Sequence, residues 1–269
     1  MPNVYNQLID LSIQTLTEKG YGEGEWDGRT MRILGALPGE RVTARLFRKA
    51  KGVWYGRAEK IHEASPHRSE AYEEHYQSCS PWQILEQSKE EEIKKQHIRE
   101  YFRTQEIKLP EFELRASENA YRYRNKLEFS FNKRGSKKGK YPVEGCILAP
   151  EVMNEAARHM RDHLRTQNIE KQQLKSLQVR YSATTHTVIV LLFVTDPDGI
   201  PQEDWLNHLP SSVAGVHIYY SDPRSPASTF TQQLLSQGDY ALREDMMEYT
   251  FWYPAHGFFQ VNPPAFETA

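Results

Sequence analysis

The chain has 269 residues, 38% of them hydrophobic and 12% aromatic, with 34 Lys and Arg against 36 Asp and Glu for a formal net charge of −2. That composition excludes a disordered polymer, the lack of any long apolar run excludes a helical membrane span, and the length predicts about two domains. Cys79 and Cys146 offer no disulfide framework. Residues 1–16 carry Asp10 and no basic lead, so they are not a secretory signal, and the expected location is cytoplasmic. Near-neutral charge decides nothing about a polyanionic partner; only the placement of the cations can.

Residues 1–68 read as five short strands, over 4–16, 23–26, 30–34, 41–49 and 52–61. Glycine-rich turns at Gly20 to Gly24, Asp27-Gly28 and Leu37-Pro38-Gly39-Glu40 separate them. So many strands in so little chain predict a small closed β-barrel of oligonucleotide-binding type. In 41–49, Val42, Ala44 and Leu46 alternate with Arg41, Thr43, Arg45 and Phe47, so Arg41 and Arg45 are candidate RNA contacts on the outer face. Gly20-x-Gly-x-Gly lacks the strand-to-helix setting of a phosphate loop. Beyond the turns, Leu16, Gly20, Gly22, Gly35-Ala36-Leu37-Pro38-Gly39-Glu40, Val42, Tyr55, Ala58 and Ser65-Pro66-His67-Arg68 resemble the TRAM domain of RNA-modifying enzymes. The resemblance implies an RNA-binding barrel.

Residues 69–107 read as a connector and one long helix opened by Ser80 as N-cap, Pro81 at the first position and Gln83 closing a capping box. Ile84, Ile93, Ile98, Tyr101 and Phe102 form its partial apolar stripe.

Residues 108–269 read as an α+β domain with a largely antiparallel sheet. The stretch YRYRNKLEFSFNKRGSKKGKY from Tyr121 to Tyr141 dominates it. A period of two puts Tyr121, Tyr123, Asn125, Leu127 and Phe129 on one face and Arg122, Arg124 and Lys126 on the other. Lys133, Arg134, Lys137 and Lys138 follow in and after a turn, and only Glu128 opposes them. Cations beside planar side chains suit a phosphate backbone with unstacked bases; a solvated edge hairpin protected by its charges is the other reading. A helix is expected over 150–167, strands over 177–181, 187–194, 213–220, 242–251 and 258–262, and a short helix over 202–209.

Four stretches in order resemble the RNA uracil-5-methyltransferase family: the barrel, Cys79-Ser80-Pro81-Trp82-Gln83, Tyr123-Arg124-Asn125-Lys126, and Gly257-Phe258-Phe259-Gln260-Val261-Asn262-Pro263. The resemblance covers the front part of such an enzyme. It implies a barrel and central domain that hold tRNA or rRNA, followed by a Rossmann-like domain binding S-adenosylmethionine and carrying the nucleophilic cysteine. That later domain is expected to be absent here. By the same resemblance Phe258 packs at the target uridine, Gln260 offers its amide to the base and Asn262 steadies the turn.

Two departures matter. An iron–sulfur cluster needs four thiolates, and Cys79 stands alone, so none is expected. C5 methylation needs a thiolate to attack C6, a base for the C5 proton and a bound donor. Cys146, in EGCILAP, reads as a structural thiol, no strand–glycine-loop–helix follows Asn262, and no catalytic residue is assigned. The chain alone is expected to be inactive: a truncated product, or one part of a split enzyme with a separate catalytic half. The rival reading is a free-standing TRAM-domain RNA-binding protein. Among ten histidines, His159 and His163 lie one helical turn apart but lack a third ligand in sequence, and no metal site is expected.

Overall fold

The computed structural model describes residues 5–131, 143–167 and 169–268. They fall into two compact units, residues 1–114 and 115–269. No helix among the described residues is long and apolar enough to cross a membrane.

In the first unit, β1 (Leu8–Leu16), β2 (Tyr21–Trp26), β3 (Arg29–Leu34), β4 (Arg41–Ala50) and β5 (Val53–Glu63) close a barrel in the order β1-β2-β3-β5-β4. All five expected strands form. The parallel pairing of β3 with β5 closes the ring; every other pair is antiparallel. Alternate residues fill the interior: Ile9, Leu11, Ile13, Met31, Ile33, Val42, Ala44 and Leu46 are each 5% exposed or less. Each of these side chains except Ala44 contributes about 1.5–3 kcal/mol by leaving water. Gly22 lies in β2, where a Cβ would sit 2.6 Å from the Ala36 carbonyl oxygen. The glycine at this position thus serves close strand packing.

The LPGE turn has a structural task. Glu40, 1% exposed, accepts the Leu37 and Ser65 N–H groups at 2.9 and 3.1 Å. Its carboxylate also takes Nε and Nη2 of Arg68 at 2.6 and 2.8 Å. The two ends of the barrel motif are thereby tied by one carboxylate.

Beyond the barrel come α1 (Tyr76–Cys79), a 3₁₀ turn (Pro81–Ile84) and α2 (Gln87–Thr104). Ser80 and Pro81 open a helix where expected, but only the 3₁₀ turn, and the long helix starts at Gln87. Ser80 makes no side-chain cap, and Gln83 turns inward, accepting the Tyr72 N–H and donating to Glu73. Ile84 and Leu85 pack with Leu16, Leu37 and Ile93, and burying them draws the chain into an extended Leu85 before the helix begins.

In the second unit, β6 (Lys126–Ser130), α3 (Glu151–Thr166), β7 (Leu174–Tyr181), β8 (Val188–Val194), β9 (Val213–Tyr220), β10 (Gln232–Gly238), β11 (Ala241–Met246), β12 (Tyr249–Pro254) and α4 (Pro263–Glu267) follow in order. The sheet runs β10-β9-β8-β7-β6, antiparallel except between β8 and β9, and β11-β12 is a separate hairpin. Met153, Ala156, Met160 and Leu164 of α3 share a core with Leu177, Val179, Val190, Leu192, Val216 and Ile218. Ile189, Leu191, Phe193 and Tyr219 pack with Leu242 and Tyr253 of the hairpin. β8 is therefore buried on both faces, which accounts for its unbroken apolar run.

Four expectations change here. The strand predicted from Tyr121 starts only at Lys126, because Arg122 takes a φ of +57° and alternation cannot pass through a left-handed residue. Residues 122 and 124 instead donate their N–H groups to Ile147 and Leu148 at 2.9 and 2.8 Å. The strand expected over 242–251 is the β11-β12 hairpin, turning at Met247 (φ +54°), and β10 had not been expected. The helix expected over 202–209 is a single 3₁₀ turn, Leu206–His208. Residues 258–262 form no strand; Pro263 at the first helical position starts α4 directly after them.

Candidate nucleic-acid interface

Asn125 joins two motifs that lie far apart in sequence. Buried at 3% exposure, it donates its N–H to the Val261 carbonyl at 3.1 Å and its Nδ2 to the Gln260 carbonyl at 2.9 Å. Its own carbonyl accepts the Tyr181 N–H at 3.0 Å. Tyr-Arg-Asn-Lys and Phe-x-Gln thus meet at the start of β6.

The cations gather at the same place. Arg122 is exposed, Arg124 and Lys126 are half-buried, and Lys126 pairs directly across the sheet with Arg180 of β7. Arg180 is 1% exposed, and its Nε and Nη2 find no hydrogen-bond partner among the described residues, nor does Nε of Arg124. The guanidinium lies over the Tyr253 ring, 5.4 Å from its centroid, but makes no hydrogen bond to the hydroxyl. Burial lowers the Arg180 pKa. Lys126 is pushed down first by burial and then by the neighbouring Arg180 charge, with Glu128 opposing. Burial also pushes the Tyr253 hydroxyl up to about 12.

The nearby carboxylates are occupied elsewhere. Glu128 accepts from Gln178 and Ser228, and Glu244 accepts from the Ala183 and Thr184 backbone and the Thr184 hydroxyl. A buried cation left this way costs several kcal/mol unless an anion meets its field. Sequence reading missed Arg180, whereas Phe251-Trp252-Tyr253 reads in the sequence as a candidate stacking surface. The available signal was one arginine inside the otherwise buried strand LKSLQVRY.

Around this cluster, Phe258 is 84% exposed, and Phe259 stacks on Tyr253 with ring centroids 4.2 Å apart and planes 3° from parallel. Gln260 is half-buried. Val261, expected in the core had these residues formed a strand, is 42% exposed. Asn262 caps α4 by accepting the Ala265 N–H at 3.3 Å and reaches Ser117 at 3.2 Å. Lys133, Arg134, Lys137 and Lys138 lie outside the described residues.

On the barrel, Arg41 is exposed, while Arg45 is clamped by Glu59 through Nε and Nη2 at 2.5 and 3.0 Å. Arg45 is thus paired, not the open cation expected. The β4-β5 hairpin offers another set: Arg48 over Tyr55 at 4.2 Å and Lys49 over Trp54 at 5.3 Å, beside the exposed Phe47. Cys146 is buried in the core of the second unit, with its N–H held by Asn154 at 2.9 Å.

The first unit is thus a closed barrel, and the second an α+β unit with cations at the start of its edge strand β6. No family model matches the chain. It is similar to uncharacterized RNA methyltransferases of Lactiplantibacillus plantarum (24% identical, 98% of this chain and 63% of that protein) and Listeria monocytogenes serotype 4b (26%, 96% and 62%). Another relative, from Caldanaerobacter subterraneus subsp. tengcongensis, is 24% identical over 95% of this chain and 63% of its own length. The fold matches a crystal structure of Pyrococcus abyssi tRNA (uracil-54, C5)-methyltransferase in complex with S-adenosyl-L-homocysteine, with a TM-score of 0.73 at 17% identity over 96% of this chain and 63% of that one. The chain spans about 63% of the length of the RNA methyltransferases it is similar to, and of the structure whose fold it shares.

Proposed function

We propose that this chain is the RNA-holding portion of an S-adenosylmethionine-dependent RNA (uracil-C5)-methyltransferase acting on tRNA or rRNA. The observation that carries the reading is buried Arg180, with two guanidinium nitrogens lacking a hydrogen-bond partner among the described residues, paired across the sheet with Lys126 where the Phe-x-Gln segment is anchored. A buried cation in a low-dielectric setting projects its field to the surface beside it, and a phosphate backbone supplies the missing negative charge. The barrel is read as a TRAM-type module contributing Arg41, Arg48 and Lys49.

Phe258, with its ring in solvent, is assigned to the displaced uridine, and Gln260 to its polar edge; such contacts offset the few kcal/mol that base flipping costs. Donor binding and the attacking thiolate are assigned to the part of the relatives' length that this chain does not span. Buried Cys146 supports that assignment, since a nucleophile must reach its substrate. Neither an iron–sulfur cluster nor catalysis is assigned to these residues, and the cytoplasm is the proposed setting.

The test is binding of a uridine-containing single-stranded RNA across a salt series. Affinity falling linearly in log–log form, with a slope reduced by about 3 when Arg122, Arg124 and Lys126 become alanine, supports the reading. A flat salt dependence, or a triple variant that binds like the parent, overturns it.

A further inference from the structure

We propose that His163, Glu203 and His208 form a binding site for a divalent transition metal of the zinc type, built where α3 meets the turn before β9. The three side chains each present one ligand atom, and these atoms all lie within 4.8 Å of one another. Sequence spacing could not show this, since 40 residues separate His163 from Glu203. His159, one turn before His163, takes no part and bonds the Glu155 carbonyl.

The donor set and its support fit such an ion. Two imidazoles and one carboxylate are a three-ligand zinc set that leaves a fourth position for water. His163 is held by burial, with 7% of its side chain exposed, and the Trp205 ring meets it edge-on at 5.0 Å. Trp205 is fully buried and donates its indole N–H to the Pro201 carbonyl at 3.1 Å. The Gln237 side chain accepts the Trp205 N–H at 2.9 Å and donates to the Glu203 carbonyl at 2.7 Å. That amide pins to β10 the segment that bears Glu203 and His208. Ligands on a pinned backbone lose little freedom when an ion binds.

The present geometry needs only small changes. His163 Nε2 and Glu203 Oε1 lie 2.7 Å apart, a hydrogen-bond separation in which one proton occupies the place of an ion. Ligand bonds of about 2.0–2.2 Å in a tetrahedron set ligand atoms roughly 3.4 Å apart, so this pair must open by a fraction of an ångström. The His208 ring stacks on His163 at 4.1 Å with planes 12° apart. Its lone pair must tilt out of that stack to aim at a shared ion, and His208 is free to do so because it is exposed. Binding displaces the proton from between His163 Nε2 and Glu203 Oε1.

The test titrates the untagged full chain with Zn(II) and, for its spectrum, Co(II). The expected result is one equivalent bound, tetrahedral nitrogen–oxygen bands without a thiolate charge-transfer band, and a raised thermal midpoint. His208→Ala should weaken binding by at least about tenfold and abolish the metal-induced thermal shift measured from its own metal-free midpoint. Glu203→Gln should likewise weaken binding by at least about tenfold. No binding in the micromolar range, a thiolate band, or equal affinity in His208→Ala overturns the site and leaves a hydrogen-bonded histidine stack.

Discussion

Two arginines show how differently one residue type can serve in the two units. In the barrel, Arg68 is answered by its own chain: both oxygens of Glu40 take its guanidinium. In the second unit, Arg180 is more deeply buried, yet Nε and Nη2 go unanswered among the described residues. The first arrangement closes on itself and holds a fold together. The second leaves part of a guanidinium without a hydrogen-bond acceptor, which is where the proposed function places an anion. A recognisable motif and a binding site are therefore different things: the LPGE turn is among the most legible features of the sequence, and its glutamate is spent on architecture.

The largest expected effect breaks the closed arrangement. Glu40→Ala leaves Arg68 and the Leu37 and Ser65 N–H groups without their acceptor, and should destabilise the protein by about 3 kcal/mol in chemical denaturation. A change near zero would show that water replaces the carboxylate freely. The open arrangement should respond in the opposite sense. Arg180→Met keeps the volume and removes an uncompensated charge, so stability should hold or rise, while RNA affinity falls about fivefold through the lost potential. Marked destabilisation with unchanged RNA binding would make Arg180 as structural as Arg68.

A smaller effect concerns proton linkage in RNA binding. The Lys126 pKa is lowered from the ordinary 10.5, and a phosphate neighbour favours its charged form. Affinity should therefore decline as pH rises toward 10.5, starting below the range of an ordinary lysine, and Lys126→Arg should remove the decline. The smallest effect lies in the sheet itself. His217 is fully buried, and its Nε2–H donates to the Asp239 carbonyl at 2.9 Å while Nδ1 faces Ser236. Burial lowers its pKa below 6.5. The unfolded chain then binds the proton more readily, so stability is fully present above 6.5 and is lost as pH falls below it. A His217→Gln variant should show a flatter acid limb in thermal unfolding.

Much of the fold was legible because burial leaves a period in the sequence. Alternation located all five barrel strands, and the α3 stripe of Met153, Ala156, Met160 and Leu164 placed that helix within a residue or two. Where backbone conformation overrode the period, the reading failed. Tyr121 to Asn125 alternates like a strand, yet a left-handed Arg122 ends the pattern. The chain at Ser80 carries every local helix-start cue, yet burial of Ile84 and Leu85 delays the helix to Gln87.

Patterning along the sequence by itself determined the barrel, the mainly antiparallel sheet and the cationic start of β6, because these rest on local chemistry and short-range periodicity. Only tertiary structure decided which charges are answered and which are left open. It brought Asn125 to Gln260, Lys126 to Arg180, and His163 to Glu203 and His208, pairs whose separation along the chain carries no local signal. Hydrogen bonds and ion pairs act over a few ångströms of space, and folding alone sets that distance.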